Sequence, residues 1–234
     1  MRIEQPIIKG LLLKRYKRFL ADVELSSGEV ITAHCPNTGS LTGCMPERAP
    51  CVLRDSQDPK RKLRYTLQTI QVAETWVNVD TGLPNKLVPE AIRADLIPAL
   101  RGYQSVRTEV KYGTSSRIDV LLEKEDGSKC YVEVKNTTLM RGKRALFPDA
   151  VTSRGLKHLN ELMDMVQEGH RAVMFYCVSR EDASSFGPAV DVDPGYCKTL
   201  TKAAQAGVEL EAWTTKVEPQ SFELGKRLRI HLPS

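Results

Sequence analysis

The sequence predicts an α+β or α/β protein made of a small N-terminal β-barrel followed by a larger mixed domain. Three observations lead to this prediction: strand-like segments without a helix over residues 1–82, turn formers at 81–84, and alternating helical and strand patterns over 83–234. We therefore expect two domains, 1–82 and 83–234. The 234 residues are 41% hydrophobic and 27% charged, which is ordinary for a folded chain and argues against gross disorder.

The first domain has the pattern of a small barrel of the OB (oligonucleotide/oligosaccharide-binding) type. A strand-like stretch covers 11–25, and turn formers at 26–28 lead into a returning strand at 30–34. Further strands are predicted within 51–54 and 65–79. The turn-rich segment 35–40 is predicted either to be a tight corner that packs on the second domain or to bind a phosphate.

The second domain alternates between segments with a helical hydrophobic pattern and segments with a strand pattern. Apolar residues at helical spacing predict three helices, and β-rich or continuous apolar runs predict five strands. In chain order these are helix 86–100, strands 107–112, 116–123 and 129–135, helix 151–169, strand 171–178, helix 199–206 and strand 208–213.

The chemistry-bearing residues lie on a predicted hairpin whose two strands are joined by an Asp-Gly turn. Side chains alternate along a strand, so Glu133 and Lys135 share one face, and Asp119 on the partner strand can lie beside them. Glu109 is ten residues earlier and could add a third carboxylate. The alternative is an exposed hairpin whose charges pair across the strands.

Two carboxylates and a lysine at one end of a sheet suit the hydrolysis of phosphodiester bonds. Carboxylate oxygens are preferred ligands of Mg²⁺ or Mn²⁺, and Asp119, Glu133 and Glu109 are the predicted ligands. Lys135 would orient water or stabilise developing charge. We therefore predict catalytic roles for Asp119, Glu133 and Lys135 with a divalent cation.

Basic side chains gather in short clusters that are typical of nucleic-acid binding. The formal net charge of +5 is modest, so the placement of the charges carries the argument. Tyr16 and Phe19 are interleaved with the first cluster and offer ring faces for stacking bases. The alternative is solvated loops and protected strand edges. The residues predicted to contact nucleic acid are Lys14, Arg15, Lys17, Arg18, Arg61, Lys62, Arg154 and His158.

Arg154 and His158 are one turn apart on the predicted helix 151–169, on the face opposite its apolar stripe. One interpretation has Arg154 holding a phosphate near the metal, with His158 assisting. The other is an ordinary solvated face. The helix start offers Asp149, Thr152 or Ser153 as its cap.

The motifs together resemble a known family. Asp119 and the Glu133-x-Lys135 triplet resemble the PD-(D/E)xK nuclease superfamily, with Ile118 where proline is frequent. Over about residues 11–213 the chain resembles the sugar fermentation stimulation protein (SfsA) family. The motifs that match that family are RYKRFLADV at 15–23, HCPNTG at 34–39, EVKYG at 109–113, SRID at 116–119, EVK at 133–135 and FPDAVT at 147–152.

The resemblance implies an OB-like barrel followed by a restriction-endonuclease-like α/β domain. It also implies a bacterial DNA-binding protein that regulates the use of maltose and other sugars. A magnesium-dependent DNA nuclease using Asp119, Glu133 and Lys135 is the alternative, and an enzyme of sugar metabolism is a weaker third hypothesis. DNA contacts dominated by the backbone are expected, because no helix-turn-helix signature is evident.

The compartment is predicted from what the sequence lacks. Its longest apolar run, 172–178, is too short to cross a bilayer, and its first residues show no signal-peptide core. We therefore expect a cytoplasmic protein with no membrane partner. Six cysteines without a Cys-x-x-Cys pair are expected to be thiols and not zinc ligands.

Overall fold

The computed structural model describes residues 1–113 and 116–233 and begins with a β-barrel. Its sheet has the order β3-β2-β1-β4-β5-β6, and a further pairing of His34 with Thr66 joins β3 to β5 and closes the barrel. Alternate side chains point inward, among them Leu12, Val23 and Leu53. The strands are β1 (Ile7–Tyr16), β2 (Leu20–Leu25), β3 (Val30–His34), β4 (Ala49–Asp55), β5 (Tyr65–Val72) and β6 (Thr75–Asn78).

The predicted strand over 11–25 is in fact two strands. The chain reverses between Tyr16 and Leu20, and Lys17 and Arg18 there have φ of 49° and 64°. Residues other than glycine, asparagine and aspartate seldom adopt this left-handed conformation, so the turn had no sequence signal. The predicted strand over 65–79 is likewise a hairpin, β5 and β6.

Strand register places three connections at one end of the barrel. Tyr16 pairs with Leu20, Leu20 with His34, and His34 with Thr66. The turn 17–19, the segment 35–42 and the loop 56–64 all leave the barrel at this level. We call this end of the barrel, defined by those three connections, the turn end.

The second domain is built on a six-stranded mixed sheet with the order β15-β14-β12-β9-β8-β7. The central strands β9, β12 and β14 are parallel, and the outer strands pair antiparallel. Helix α1 covers one face, and α2 and α3 cover the other. The bounds are α1 (Pro84–Arg93), β7 (Ser105–Tyr112), β8 (Ser116–Glu123), β9 (Lys129–Thr137), α2 (Ser153–Gln167), β12 (Arg171–Val178), α3 (Pro194–Gln205), β14 (Glu209–Val217) and β15 (Phe222–Arg227).

A second, smaller sheet was not predicted. It consists of β10 (Met140–Arg141), β11 (Arg144–Phe147), β13 (Ser185–Pro188) and β16 (Arg229–Ile230), in the order β10-β11-β13-β16. Strands of two to four residues are too short to show alternation, so sequence reasoning misses them. Within the described part of the chain, no helix combines the length and apolar character needed to span a bilayer.

The predicted helix over 86–100 also ends earlier than expected. α1 stops at Arg93, Asp95 has a φ of 55°, and a separate 3₁₀ turn covers Pro98–Leu100. The residue before a proline is disfavoured in helical conformation, so Pro98 prevents the helix from running on. Thr152 is the cap of α2, where its Oγ1 accepts from the Gly155 amide at 2.9 Å.

Direct hydrogen bonds join the barrel to the second domain. The Asp149 carboxylate accepts from the Leu41 amide at 3.0 Å, and Ser40 Oγ donates to the Asp149 carbonyl at 2.7 Å. Gly39 lies against the same carboxylate so closely that a Cβ there would be 2.5 Å from an Asp149 oxygen. The segment 35–42 therefore packs on the second domain, which was the first of its two predicted roles.

Candidate active site

The predicted site residues lie at one end of the β8–β9 hairpin, in a cavity of about 400 Å³ lined by both domains. Ladder pairing between β8 and β9 reaches Val120 and Val132. Beyond it, the Asp119 carboxylate replaces a backbone acceptor and accepts a hydrogen bond from the Val134 amide at 2.7 Å. Its other oxygen accepts from Asn85 Nδ2 of α1 at 2.8 Å, so both oxygens of Asp119 have fixed positions.

Glu133 and Lys135 lie on the α2 face of the sheet, as alternation predicts. Lys135 Nζ donates to Glu133 Oε1 at 2.6 Å, and His158 of α2 bonds to the same oxygen. The Glu133 residue is only 2% exposed, and its second oxygen, Oε2, has no hydrogen-bond partner among the described residues. A buried carboxylate oxygen without a partner is costly, which indicates that a ligand belongs there.

His158 is buried, which corrects the prediction that it lies on a solvated or nucleic-acid-binding face. Its Nε2 accepts from Arg154 Nε at 3.4 Å, and its Nδ1 contacts both Glu133 Oε1 and Lys135 Nζ, the latter at 3.0 Å. The histidine holds one Glu133 oxygen in place while Arg154 is exposed at the cavity rim.

The two carboxyl groups have pKa values shifted in opposite directions. Burial, together with the charge of Glu133, raises the pKa of Asp119 to about 6. Burial also raises the pKa of Glu133, but the hydrogen bond from His158 and the charge of Lys135 outweigh it and the net pKa is lowered. Between the ordinary glutamate value of 4.5 and about 6 the pair therefore holds one charge, mainly on Glu133.

We expect Asp119 to make the metal-free protein less stable as pH rises. The raised pKa means that the folded state holds the proton more tightly than the unfolded state, so the stabilisation is full below the ordinary value of 3.8 and is lost through about 6. In EDTA, the free energy of unfolding of wild type minus that of Asp119→Asn should fall by about 2–3 kcal/mol between about pH 4 and 7. Urea unfolding at a series of pH values measures it, and a pH-independent difference would contradict the assignment.

Glu109 is not brought into the cavity. It lies exposed on the outermost strand β7, opposite Asp119, with a left-handed φ of 54°. Among residues 1–113 and 116–233, no group of three or more His, Cys, Asp or Glu side chains is placed to hold a metal ion. Of the three predicted ligands, Asp119 and Glu133 line the cavity.

The other walls of the cavity come from elements that sequence reasoning did not connect with the site. The barrel supplies Arg18, Asn37, Thr38 and Gly39 from its turn end. Asn85 comes from the first turn of α1, and no spacing rule links it to Asp119. The loop 147–152 completes the wall opposite α1.

Two of the predicted nucleic-acid contacts have other partners in the structure. Arg15 binds carbonyl oxygens inside its own domain, donating to Asn37 at 2.6 Å, Gly39 at 2.9 Å and Arg18 at 2.8 Å. It shapes the turn end and has little left to offer a phosphate. Lys14 lies 3.5 Å from Asp22 in an exposed ion pair.

Four of the remaining predicted contacts gather at the turn end. Lys17, Arg18 and Phe19 are exposed in the β1–β2 turn, and Lys62 is exposed in the loop 56–64. Arg61 is exposed in the same loop and contacts Thr66 Oγ1 at 3.4 Å. Two stretches that are far apart in sequence thus place positive charge on one surface.

Comparison with known proteins identifies both domains. Residues 13–79 match the SfsA N-terminal OB domain, and residues 82–221 match the sugar fermentation stimulation protein RE domain. A sugar fermentation stimulation protein homolog of Geotalea uraniireducens is 48% identical over 232 residues, covering 99% of this chain and 100% of the relative. The homolog of Pelobacter propionicus is 50% identical over 227 residues, covering 97% and 98%.

A solved structure agrees over the same length. Pyrococcus furiosus SfsA, described in complex with Ca²⁺, superimposes with a TM-score of 0.87 at 27% identity and covers 99% of both chains. The predicted order of an OB barrel followed by a nuclease-like α/β domain is confirmed. The chain belongs to the sugar fermentation stimulation protein (SfsA) family.

Proposed function

We propose that this protein binds DNA and hydrolyses its phosphodiester bonds with a divalent cation held by Asp119 and Glu133. The observation that carries the proposal is the unpartnered Oε2 of Glu133, an acceptor buried beside a second carboxylate in a cavity between the domains. The contacts with Lys135 and His158 are made by Oε1 and leave this oxygen without a partner. A ligand that accepts electron pairs from both carboxylates would satisfy it.

The residues fit a small, hard cation. Two carboxylates are a sparse protein ligand set, and Mg²⁺ is commonly bound in this way because it keeps several waters. The relative from Pyrococcus furiosus, described in complex with Ca²⁺, supports an oxygen-ligand site in the family. When bound, the cation would polarise a phosphoryl oxygen and lower the pKa of a bound water.

The chain's own groups position the reactants. Asn85 and the Val134 amide fix Asp119, and His158 and Lys135 fix Glu133, so neither carboxylate needs to reorganise when a ligand arrives. The Lys135 side chain is 14% exposed, and its ammonium can stabilise negative charge that develops on the phosphate. Arg154 at the rim can hold an adjacent phosphate oxygen.

The sugar phenotype named by the family fits this proposal in either of two ways. Hydrolysis would place the effect on sugar use downstream of DNA processing. Binding without hydrolysis would leave the predicted regulator of maltose and other sugar genes. Only the first gives a role to the unpartnered oxygen of Glu133, so we place it first.

The test is a cleavage assay with a binding assay beside it. Supercoiled plasmid and labelled oligonucleotides are incubated with the protein in Mg²⁺, Mn²⁺ or EDTA, next to Asp119→Asn. Cleavage that needs the metal and is lost in the variant is expected. Salt-sensitive binding in EDTA without cleavage under any metal would overturn hydrolysis and retain the regulator. Loss of both would leave the sugar-metabolism hypothesis.

A further inference from the structure

We infer that the DNA reaching the carboxylates is single-stranded and is guided there by the turn end of the barrel. This inference deepens the proposed function and rests on it. It names the form of the substrate, which the positions of the carboxylates alone do not define.

The first observation is the burial of the carboxylates and the tie between the cavity walls. Glu133, which lines the cavity, is only 2% exposed. The barrel wall and the loop 147–152 are joined by the Ser40 and Leu41 bonds to Asp149. One unpaired strand is narrower than a double helix, so we expect it to reach Glu133 between these joined walls more readily than a duplex would.

The second observation is an exposed aromatic ring next to the cavity. Phe19 is 47% exposed, and its carbonyl accepts from the Cys35 amide at 2.8 Å, which places it beside the segment 35–42. Its chain neighbour Arg18 lines the cavity. An exposed phenyl ring between basic residues is a stacking platform for an unpaired base. It cannot stack in this way on bases that are already stacked inside a duplex.

The third observation is the continuity of positive charge. Lys17 and Arg18 in the β1–β2 turn, and Lys60 and Lys62 in the loop 56–64, lie at the same end of the barrel as Phe19. Arg154 and Lys135 continue the charge at the rim and floor of the cavity. The strand would therefore run from the turn end, over Phe19 and Arg18, to the carboxylates.

The barrel offers matched controls at its opposite end. Val30 is 55% exposed at the start of β3, and Arg48 is exposed and paired with Glu24 at 2.8 Å. Register places Val30 and Glu24 at the end of the barrel away from the 17–19 turn. Val30→Ala is the control for Phe19→Ala, because both remove an exposed apolar side chain. Arg48→Gln is the control for Arg18→Gln, because both remove an exposed positive charge.

Binding is measured first, in EDTA, by the fluorescence anisotropy of one labelled DNA strand and of its blunt duplex. We expect the full-length protein to bind the single strand at least about 10-fold more tightly. Phe19→Ala should weaken single-strand binding about 10-fold and leave duplex binding unchanged, because stacking is lost only for unpaired bases. Val30→Ala should change neither. Arg18→Gln should weaken single-strand binding more than Arg48→Gln does.

Cleavage is then measured on a forked duplex with one unpaired arm, in Mg²⁺ and Mn²⁺. Cuts confined to the unpaired arm are expected. Cuts inside the paired arm at the same rate, or equal losses of duplex and single-strand binding in Phe19→Ala, would overturn the inference. If no DNA is cut but the single-strand preference and the Phe19 effect remain, hydrolysis fails while the inference stands.

Discussion

Glu133→Gln is expected to reduce metal-dependent cleavage at least about 1000-fold, equivalent to about 4 kcal/mol of lost transition-state stabilisation. The substitution keeps the shape of the side chain and an oxygen that can accept from Lys135 and His158. It replaces a carboxylate by a neutral amide at the position where one oxygen has no protein partner. Cleavage of labelled DNA in Mg²⁺ measures the rate, and anisotropy in EDTA should show nearly unchanged DNA affinity.

Glu211→Gln is the matched control. Glu211 is also a buried glutamate on a central strand of the same sheet, but its oxygens bind Arg227 at 2.7 and 2.9 Å and Trp213 Nε1 at 2.8 Å. It does not line the cavity, so its neutral variant should cleave DNA at close to the normal rate. A Glu133→Gln rate within about 10-fold of wild type would show that the cation is held elsewhere.

Lys135→Met is expected to lower the free energy of unfolding by about 2–4 kcal/mol near pH 7 in EDTA, because it leaves a buried carboxylate with His158 as its remaining charge-stabilising contact. The lowered pKa of Glu133 means that its ion pair stabilises the protein above the ordinary value of 4.5 and loses that effect as pH falls through the lowered pKa. The cost of Lys135→Met should therefore shrink in acid. Urea unfolding at several pH values measures it.

A second lysine–glutamate ion pair, also two residues apart, lies at the end of another strand and serves as a control. Lys216 lies 3.4 Å from Glu218, and both side chains are 54% exposed. Exposed pairs contribute at most about 1 kcal/mol, so Lys216→Met should cost far less than Lys135→Met at every pH. The double variant Glu133→Gln with Lys135→Met should recover part of the loss, since it removes the unpaired charge. Equal costs for both lysines would contradict the buried pair.

The core of the site was predictable because its geometry is local. Strand alternation alone places Glu133 and Lys135 on one face, and a hairpin brings Asp119 beside them. The contacts that hold the two carboxylates in position were not predictable. Asn85 is 34 residues from Asp119 and His158 is 25 from Glu133, and no periodic pattern connects positions in different elements.

The basic clusters show a second limit of sequence reasoning. Arg15, Lys17 and Arg18 look alike in sequence, yet Arg15 binds backbone carbonyls while the other two are exposed in a left-handed turn. The difference arises from the segment 35–42 folding back on the barrel, a long-range contact. The motifs predicted which domain carries positive charge but not which side chains can reach DNA.

The close approach of Gly39 to Asp149 limits which barrel can be combined with which second domain. A barrel acquired from another gene by recombination would bring its own loop to this position, and any side chain larger than glycine would collide with the Asp149 carboxylate. Such a barrel would also replace the residues with which the present barrel lines the cavity at Glu133. We therefore expect a chimaera made by exchanging whole barrels to keep the site only where the incoming barrel also has glycine at this position.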